Sequence, residues 1–200
     1  MDGRPDRYDA ILRELGAARA PLHRMSRIPA VRDQSTSIAQ VNGQLGCLRS
    51  HIDALRHAAS HDFEHILVLE DDFCFTPEID RHLDDLRDFV NRNYDYVVCL
   101  LATSKYGKVV TRDEIVSWSL QPCTNAAAYL VSGRGIDKLL EVQLFALERL
   151  LETQDTLKYA CDRYWSVLQK TGKFLVFRRK FGFQSASYSD IEQQIARYLD

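Results

Sequence analysis

The chain has 200 residues, 46% hydrophobic and 27% charged, with a formal net charge of -2. That length makes one domain, residues 1–200, with a core of its own, and the composition is ordinary for a soluble globular protein. The balanced charge argues against a nucleic-acid binder held by a broad basic surface. No apolar stretch is long enough to span a bilayer, and the N-terminus lacks a signal peptide's apolar core, so the expectation is a soluble, cytoplasmic protein without a transmembrane segment.

Taken in chain order, residues 1–7 are polar and carry a Gly and a Pro, which reads as a loop. Tyr8 to Leu15 has Ile11, Leu12 and Leu15 at helical spacing and stops at Gly16. Pro21 to Val31 reads as a short strand and turn, followed by a polar loop to Ser37. Cys47 to Ala59 is a clear helix, with Leu48, Ile52, Leu55 and Ala59 on one face. Gly43 and Gly46 precede it, which puts Ser50 and His51 near its first turn, where backbone N–H groups suit a phosphate or ribose. The bland alternative is that His51 packs within the core. His57 and His61 have an i, i+4 spacing but sit at the helix end, where histidine favours the helix dipole, so they read as structural.

Ile66 to Leu69 is an unbroken apolar run, predicted as a strand buried on both faces. Glu70, Asp71 and Asp72 follow at once, at the strand's carboxyl end, where open α/β sheets bind ligands. Three adjacent carboxylates repel one another, and a divalent cation such as Mg²⁺ or Mn²⁺ would offset that charge and bridge to a substrate's phosphates. The alternative is an acidic junction facing water.

Ile79 to Val90 alternates as a surface helix with a solvated acidic face. Tyr94 to Leu101 is a second buried strand, Ser104 to Gly107 a loop, Ile115 to Leu120 strand-like, and Ala126 to Val131 a strand of small residues. Ser132 is predicted to cap a helix running to Leu151, with Leu139, Leu140, Leu144, Leu147 and Leu151 inside. Thr156 to Lys170 reads as one long helix, Lys173 to Arg178 as a final strand, and the tail as a loop leading into a short helix. The five cysteines are widely spaced, odd in number and form no C-x-x-C pair, so they read as reduced, mostly buried thiols. Strands alternating with helices argue for a mainly parallel α/β sheet with helices on both faces.

Several segments together resemble glycosyltransferase family 25, the group of bacterial lipopolysaccharide glycosyltransferases and procollagen galactosyltransferases. GQLGCLRSH resembles the family's Gly-Cys-x-x-Ser-His segment, and ILVLEDDF its Glu-Asp-Asp strand end. TNAAAYLVSGRGIDKLL resembles its small-residue strand and following helix, DRYW (Asp162 to Trp165) its later Asp-containing helix, and FQSASYSDIE its closing segment. RPDRYDAIL, which contains Arg4 and Arg7, resembles the helix after the family's first strand. One departure stands out: in the family an apolar strand ending in Asn-Leu precedes that helix and helps hold the nucleotide. Met1 to Gly3 cannot supply it, so the first nucleotide-binding strand is expected to be missing or replaced.

The resemblance implies a GT-A-type, Rossmann-like domain. It implies transfer of a hexose, with galactose the candidate, from a nucleotide-diphosphate sugar (a UDP-sugar) to a glycan or protein-linked acceptor, with inversion. A divalent cation, Mn²⁺ or Mg²⁺, stabilises the diphosphate leaving group in such chemistry. Glu70 and Asp72 are the expected metal carboxylates. Asp71 faces the sugar or ribose instead, because alternate residues of an extended segment point to opposite sides. Asp162, with Asp190 second, is the expected base for the acceptor hydroxyl; a helix-surface ion pair is the other reading of Asp162. Arg4, Arg7, Ser50, His51, Asp71 and Gln184 are the expected donor-binding set. A non-catalytic sugar- or protein-binding module is the alternative, and a metal-dependent phosphatase or nuclease leaves the Ser50–His51 and C-terminal segments unexplained.

Overall fold

The computed structural model describes residues 4–103 and 107–185, and the backbone of 187–189 and 194–196. Helix α1 (Pro5–Ala17) starts on a proline, whose fixed φ suits a first helical position. A 3₁₀ turn (Leu22–Arg24) and an extended segment lead to the long helix α2 (Ala39–Ala59). Strands β1 (His65–Leu69) and β2 (Phe73–Phe75) follow, then α3 (Ile79–Asn91), β3 (Val98–Leu100), β4 (Val109–Thr111), β5 (Val116–Ser119) and β6 (Ala128–Ser132). Helix α4 (Ile136–Thr153) precedes three single turns, α5 (Thr156–Tyr159), α6 (Cys161–Tyr164) and α7 (Ser166–Gln169). The chain continues through β7 (Phe174–Phe177), β8 (Gly182–Gln184), β9 (Ser187–Ser189) and β10 (Gln194–Ala196).

Six strands form one sheet in the order β1-β6-β3-β7-β5-β4. Successive side chains of a strand point to opposite faces, and here each face meets its own set of helices. Val98, Leu100, Tyr129, Val131, Phe174 and Val176 pack with Leu48, Ile52 and Leu55 of α2 and Leu139, Ala146 and Leu150 of α4. Cys99, Leu101, Ala128, Leu130, Leu175 and Phe177 pack on the other face with Ile11 and Leu15 of α1 and Phe89 of α3. The expected helices on both faces are therefore present.

The expected parallel sheet is not. β3 and β7 are parallel, whereas β1–β6, β3–β6, β5–β7 and β4–β5 pair antiparallel. A parallel pair needs a long crossover, usually a helix. Among the described residues between β3 and β6 there is none, and β4 returns directly into β5. Nor is β1 buried on both faces: it is an edge strand, half-buried except at the exposed Leu67.

Other boundaries move as well. No strand forms between Pro21 and Val31. Ser132 Oγ donates to the Tyr96 carbonyl rather than capping a helix, and a 3₁₀ turn (Gly133–Gly135) intervenes before α4. Helix α4 buries Ile136, Leu139, Val142, Ala146 and Leu150, so Leu144 and Leu151 of the expected stripe face outward. The expected long helix from Thr156 is broken into α5, α6 and α7, with Ala160 extended at ψ 156 between the first two. In the tail, β9 pairs antiparallel with β10 where a helix was expected. The expectation for Met1 to Gly3 lies outside the described residues.

Two close approaches require glycine. A Cβ on Gly46 would collide with the Val31 carbonyl, so α2 holds the extended segment against its side there. A Cβ on Gly182 would collide with the Cys74 carbonyl and the Phe73 ring, at the heart of the β2–β8 pair.

Candidate active site

The acidic segment leaves the sheet at the end of β1. Because β1 runs antiparallel to β6, its carboxyl end lies beside the residues that lead into β6, and the Glu70 N–H donates to the Ala127 carbonyl at 2.8 Å. The pairing of β2 with β8 sets Phe73 opposite Gln184. The Ser185 N–H donates to the Asp72 carbonyl at 2.8 Å, which fixes the C-terminal segment over the acids. Three distant parts of the chain thus converge on one edge of the sheet.

Gln184 is the hinge of this cluster. Its amide nitrogen donates to Glu70 Oε2 at 3.0 Å and lies 3.4 Å from Asp72 Oδ1. Its carbonyl oxygen accepts from Asn125 Nδ2 at 2.9 Å. The Asn125 backbone N–H in turn donates to Asp162 Oδ2 at 2.9 Å, and its Oδ1 accepts from the Ala127 N–H at 2.7 Å. Asn125 holds this position with φ at 100°, a backbone region that asparagine visits more readily than most residues. Such conformations persist where the surroundings over-determine them, often at functional sites. Asn125 was missed as a site residue by sequence reasoning; the one available signal was the polar Thr-Asn pair heading the small-residue run TNAAAYLV.

The charges are poorly balanced. Arg7 Nη1 lies 3.0 Å from Asp71 Oδ1 and 3.6 Å from Asp72 Oδ2, so one guanidinium serves two of the three acids. Asp71 thus pairs with Arg7, while Glu70 is held by Gln184. Burial, together with the neighbouring Glu70 and Asp71, pushes the Asp72 carboxyl up to about 7 although Arg7 pulls the other way. Burial likewise raises the Asp162 carboxyl, against the Asn125 N–H and the nearby Arg163. The expected helix-surface pair of Asp162 with Arg163 is loose, at 3.8 Å, while the Asn125 contact is firm.

His51 and Ser50 are not where the sequence put them. Helix α2 begins at Ala39, eight residues before the predicted Cys47 start, so Gly43 and Gly46 are helical and Ser50 and His51 lie in its middle. No free N–H groups converge there, since only a helix's first turn leaves them unpaired. Ser50 Oγ donates to the Gly46 carbonyl at 2.8 Å and accepts from the Val31 N–H at 2.9 Å, tying down the extended segment. His51 is buried, with Nδ1 2.8 Å from the Tyr129 hydroxyl and Nε2 3.1 Å from Glu70 Oε1. Burial opposes a charge on this ring, but Tyr129, Cys47 and Glu70 outweigh it and hold its pKa well above the usual imidazole value. Arg4 pairs with Asp6 at 2.8 Å. Asp190 lies outside the described residues. The structure thus joins Glu70, Asp72, Asp162 and Gln184 in one hydrogen-bonded cluster, with Arg7, Asp71 and His51 against it.

The fold is an α/β sheet flanked by helices, with acids at the carboxyl end of β1 and polar groups from two other parts of the chain brought over them. The model of glycosyltransferase family 25 (LPS biosynthesis protein) matches residues 26–146, more than half of the chain and the part that contains Ser50, His51, Glu70, Asp71, Asp72 and Asn125. The chain belongs to glycosyltransferase family 25. No curated protein matches it.

Proposed function

We propose that this family member is a GT-A-type, nucleotide-sugar-dependent hexosyltransferase. In this reading it moves a hexose, with galactose the candidate, from a UDP-sugar to a hydroxyl of a glycan or protein-linked acceptor, with inversion, in the cytoplasm. The observation that carries the reading is the linkage of Glu70, Asp72 and Asp162 through Gln184 and Asn125 in a chain of this family.

Mn²⁺ or Mg²⁺ fits the donor chemistry at Glu70 and Asp72. Both offer carboxylate oxygens, the preferred ligands of these hard ions, and both aim an oxygen at the same Gln184 amide. When bound, such an ion would act as a Lewis acid on the diphosphate leaving group. The chain's own groups supply the rest. Arg7 stands beside the acids as a cation for donor phosphate, with Arg4 preceding it in the same N-terminal segment. Asp71 holds Arg7, and Gln184 holds Glu70 and Asp72 from the C-terminal side. Asp162 has one oxygen occupied by the Asn125 N–H, which orients the other to take the acceptor proton. Its raised pKa makes it a stronger base than a free aspartate. Asp190 is the second candidate for that role. His51 orients Glu70, and Ser50 secures the segment at Val31; both act on donor binding through these partners.

The test is a thermal-shift and transfer screen across nucleotide sugars. UDP with Mn²⁺ should raise the melting temperature by mass action on the native state, more than either alone, and transfer to an acceptor should follow. No shift with any nucleotide would turn the reading toward a non-catalytic sugar- or protein-binding module.

A further inference from the structure

Behind the carboxylates, beside His51, lie two thiols that the proposed reaction does not use. Cys47 and His51 are one turn apart on the same face of α2, and Cys161 opens α6. One ligand atom from each lies within 4.8 Å of the others. We infer that Cys47, His51 and Cys161 form a binding site for a soft divalent metal, with zinc the fitting ion, that pins α2 to the turn carrying Asp162.

The geometry supports this before any metal is added. The Cys47 and Cys161 sulfurs are 3.7 Å apart. A disulfide needs about 2.0 Å, whereas tetrahedral zinc with Zn–S arms of about 2.3 Å sets two thiolates about 3.8 Å apart. His51 supplies the third ligand through one ring nitrogen, and a water would fill the fourth position. The other ring nitrogen, Nδ1, is held by the Tyr129 hydroxyl at 2.8 Å, the kind of outer contact that orients a metal-bound histidine. His51 and Cys161 are only 6% and 5% exposed, so thiolates here need a cation in place of water. Thiolate and imidazole select zinc-like ions, while the oxygen donors of Asp72 select Mg²⁺ or Mn²⁺. The ion displaces the two thiol protons, and the Nε2 proton where His51 is charged, to solvent. The inference does not depend on the transfer reaction.

The experiment uses the reduced, metal-stripped full chain, titrated with Co²⁺ as a spectroscopic probe and then with Zn²⁺. One Co²⁺ should bind per chain with thiolate-to-cobalt charge-transfer absorption, and Zn²⁺ should displace it. Asp72→Asn should keep the band. The double variant Cys47→Ser with Cys161→Ser should lose it and bind Zn²⁺ more weakly by a factor on the order of a hundred. X-ray absorption on the zinc-loaded wild type, which needs no variant to fold, should count two sulfur neighbours at about 2.3 Å. Absent charge-transfer absorption, a band surviving in the double variant, a zinc shell of oxygen and nitrogen alone, or a Cys47–Cys161 disulfide in the stripped protein would each overturn the inference.

Discussion

At the scale of single residues, the two carboxylates with raised pKa values have separable roles. Asp162 has one oxygen committed to the Asn125 N–H. An asparagine there keeps a carbonyl acceptor for that bond but cannot accept a proton. Asp162→Asn should therefore stay folded and bind nucleotide normally, while transfer falls by about a hundredfold or more, the usual scale for a positioned base. Calorimetry with the nucleotide and product release with acceptor check it; near wild-type transfer would make Asp162 a positioning residue for the Asn125 loop. Asp72 is only 10% exposed at its side chain and directly follows two other acids, Glu70 and Asp71, in sequence. Its folded pKa, about 7, lies above its ordinary 3.8, so the native state holds the extra proton between those values. Wild-type stability therefore drops as pH rises through that window. Asp72→Asn should abolish metal-dependent transfer yet melt no lower than wild type, with its advantage larger at pH 8 than at pH 5. Parallel melting curves at the two pH values decide this, and a variant less stable at pH 8 contradicts it.

At the scale of elements, the site depends on two pairings remote from its chemistry. The β2–β8 pair brings Gln184 over the acids, and it closes only because Gly182 has no side chain. Gly182→Val should open this pair, release Gln184 from Glu70 and lower transfer at least tenfold, while the six-stranded sheet survives. Activity and far-ultraviolet circular dichroism on the same sample test it. Helix α2 makes the second link, through His51 to Tyr129 and Glu70. Replacing a buried group strands its partners at about 1–3 kcal/mol. His51→Ala should accordingly lower stability clearly, where a mere surface residue would change it by less than about 0.5 kcal/mol. Urea unfolding of the variant reads the difference directly.

At the scale of the whole molecule, acid stability rests on carboxylates far from the site. Asp113 accepts from the Ile115 and Val116 N–H groups and from the Tyr94 hydroxyl, and so holds the turn between β4 and β5. Burial opposes this, but those bonds win and keep its pKa below the ordinary 3.8. Asp33, bonded to the Ser35 N–H and to Arg49, is lowered in the same way. For a depressed carboxyl the stabilisation is complete above the unfolded pKa and lost as pH falls through the folded one. Asp113→Ala should therefore cost about 1–3 kcal/mol at pH 7, and its deficit relative to wild type should shrink below pH 4. A deficit independent of pH would assign the cost to packing instead.

The sequence alone determined several local elements and named many of the residues that gather at the acids. The apolar run ending in Glu70 to Asp72, the amphipathic face of Leu48, Ile52 and Leu55, and the family resemblance were all readable, because they depend on neighbours in the chain. Periodicity has no direction, however, so it gave strands without saying which way they run; the short return from β4 to β5, with no crossover helix among the described residues between β3 and β6, decided that. It also misplaced the start of α2, because Gly43 and Gly46 read as breakers, and the packing of Gly46 against the Val31 carbonyl made helix acceptable there. Only the tertiary structure set Asn125 and Gln184 between Glu70 and Asp162, and Cys47 beside Cys161. These contacts join residues far apart in the chain, and their energy lies in hydrogen bonds and burial that exist only after the sheet has closed.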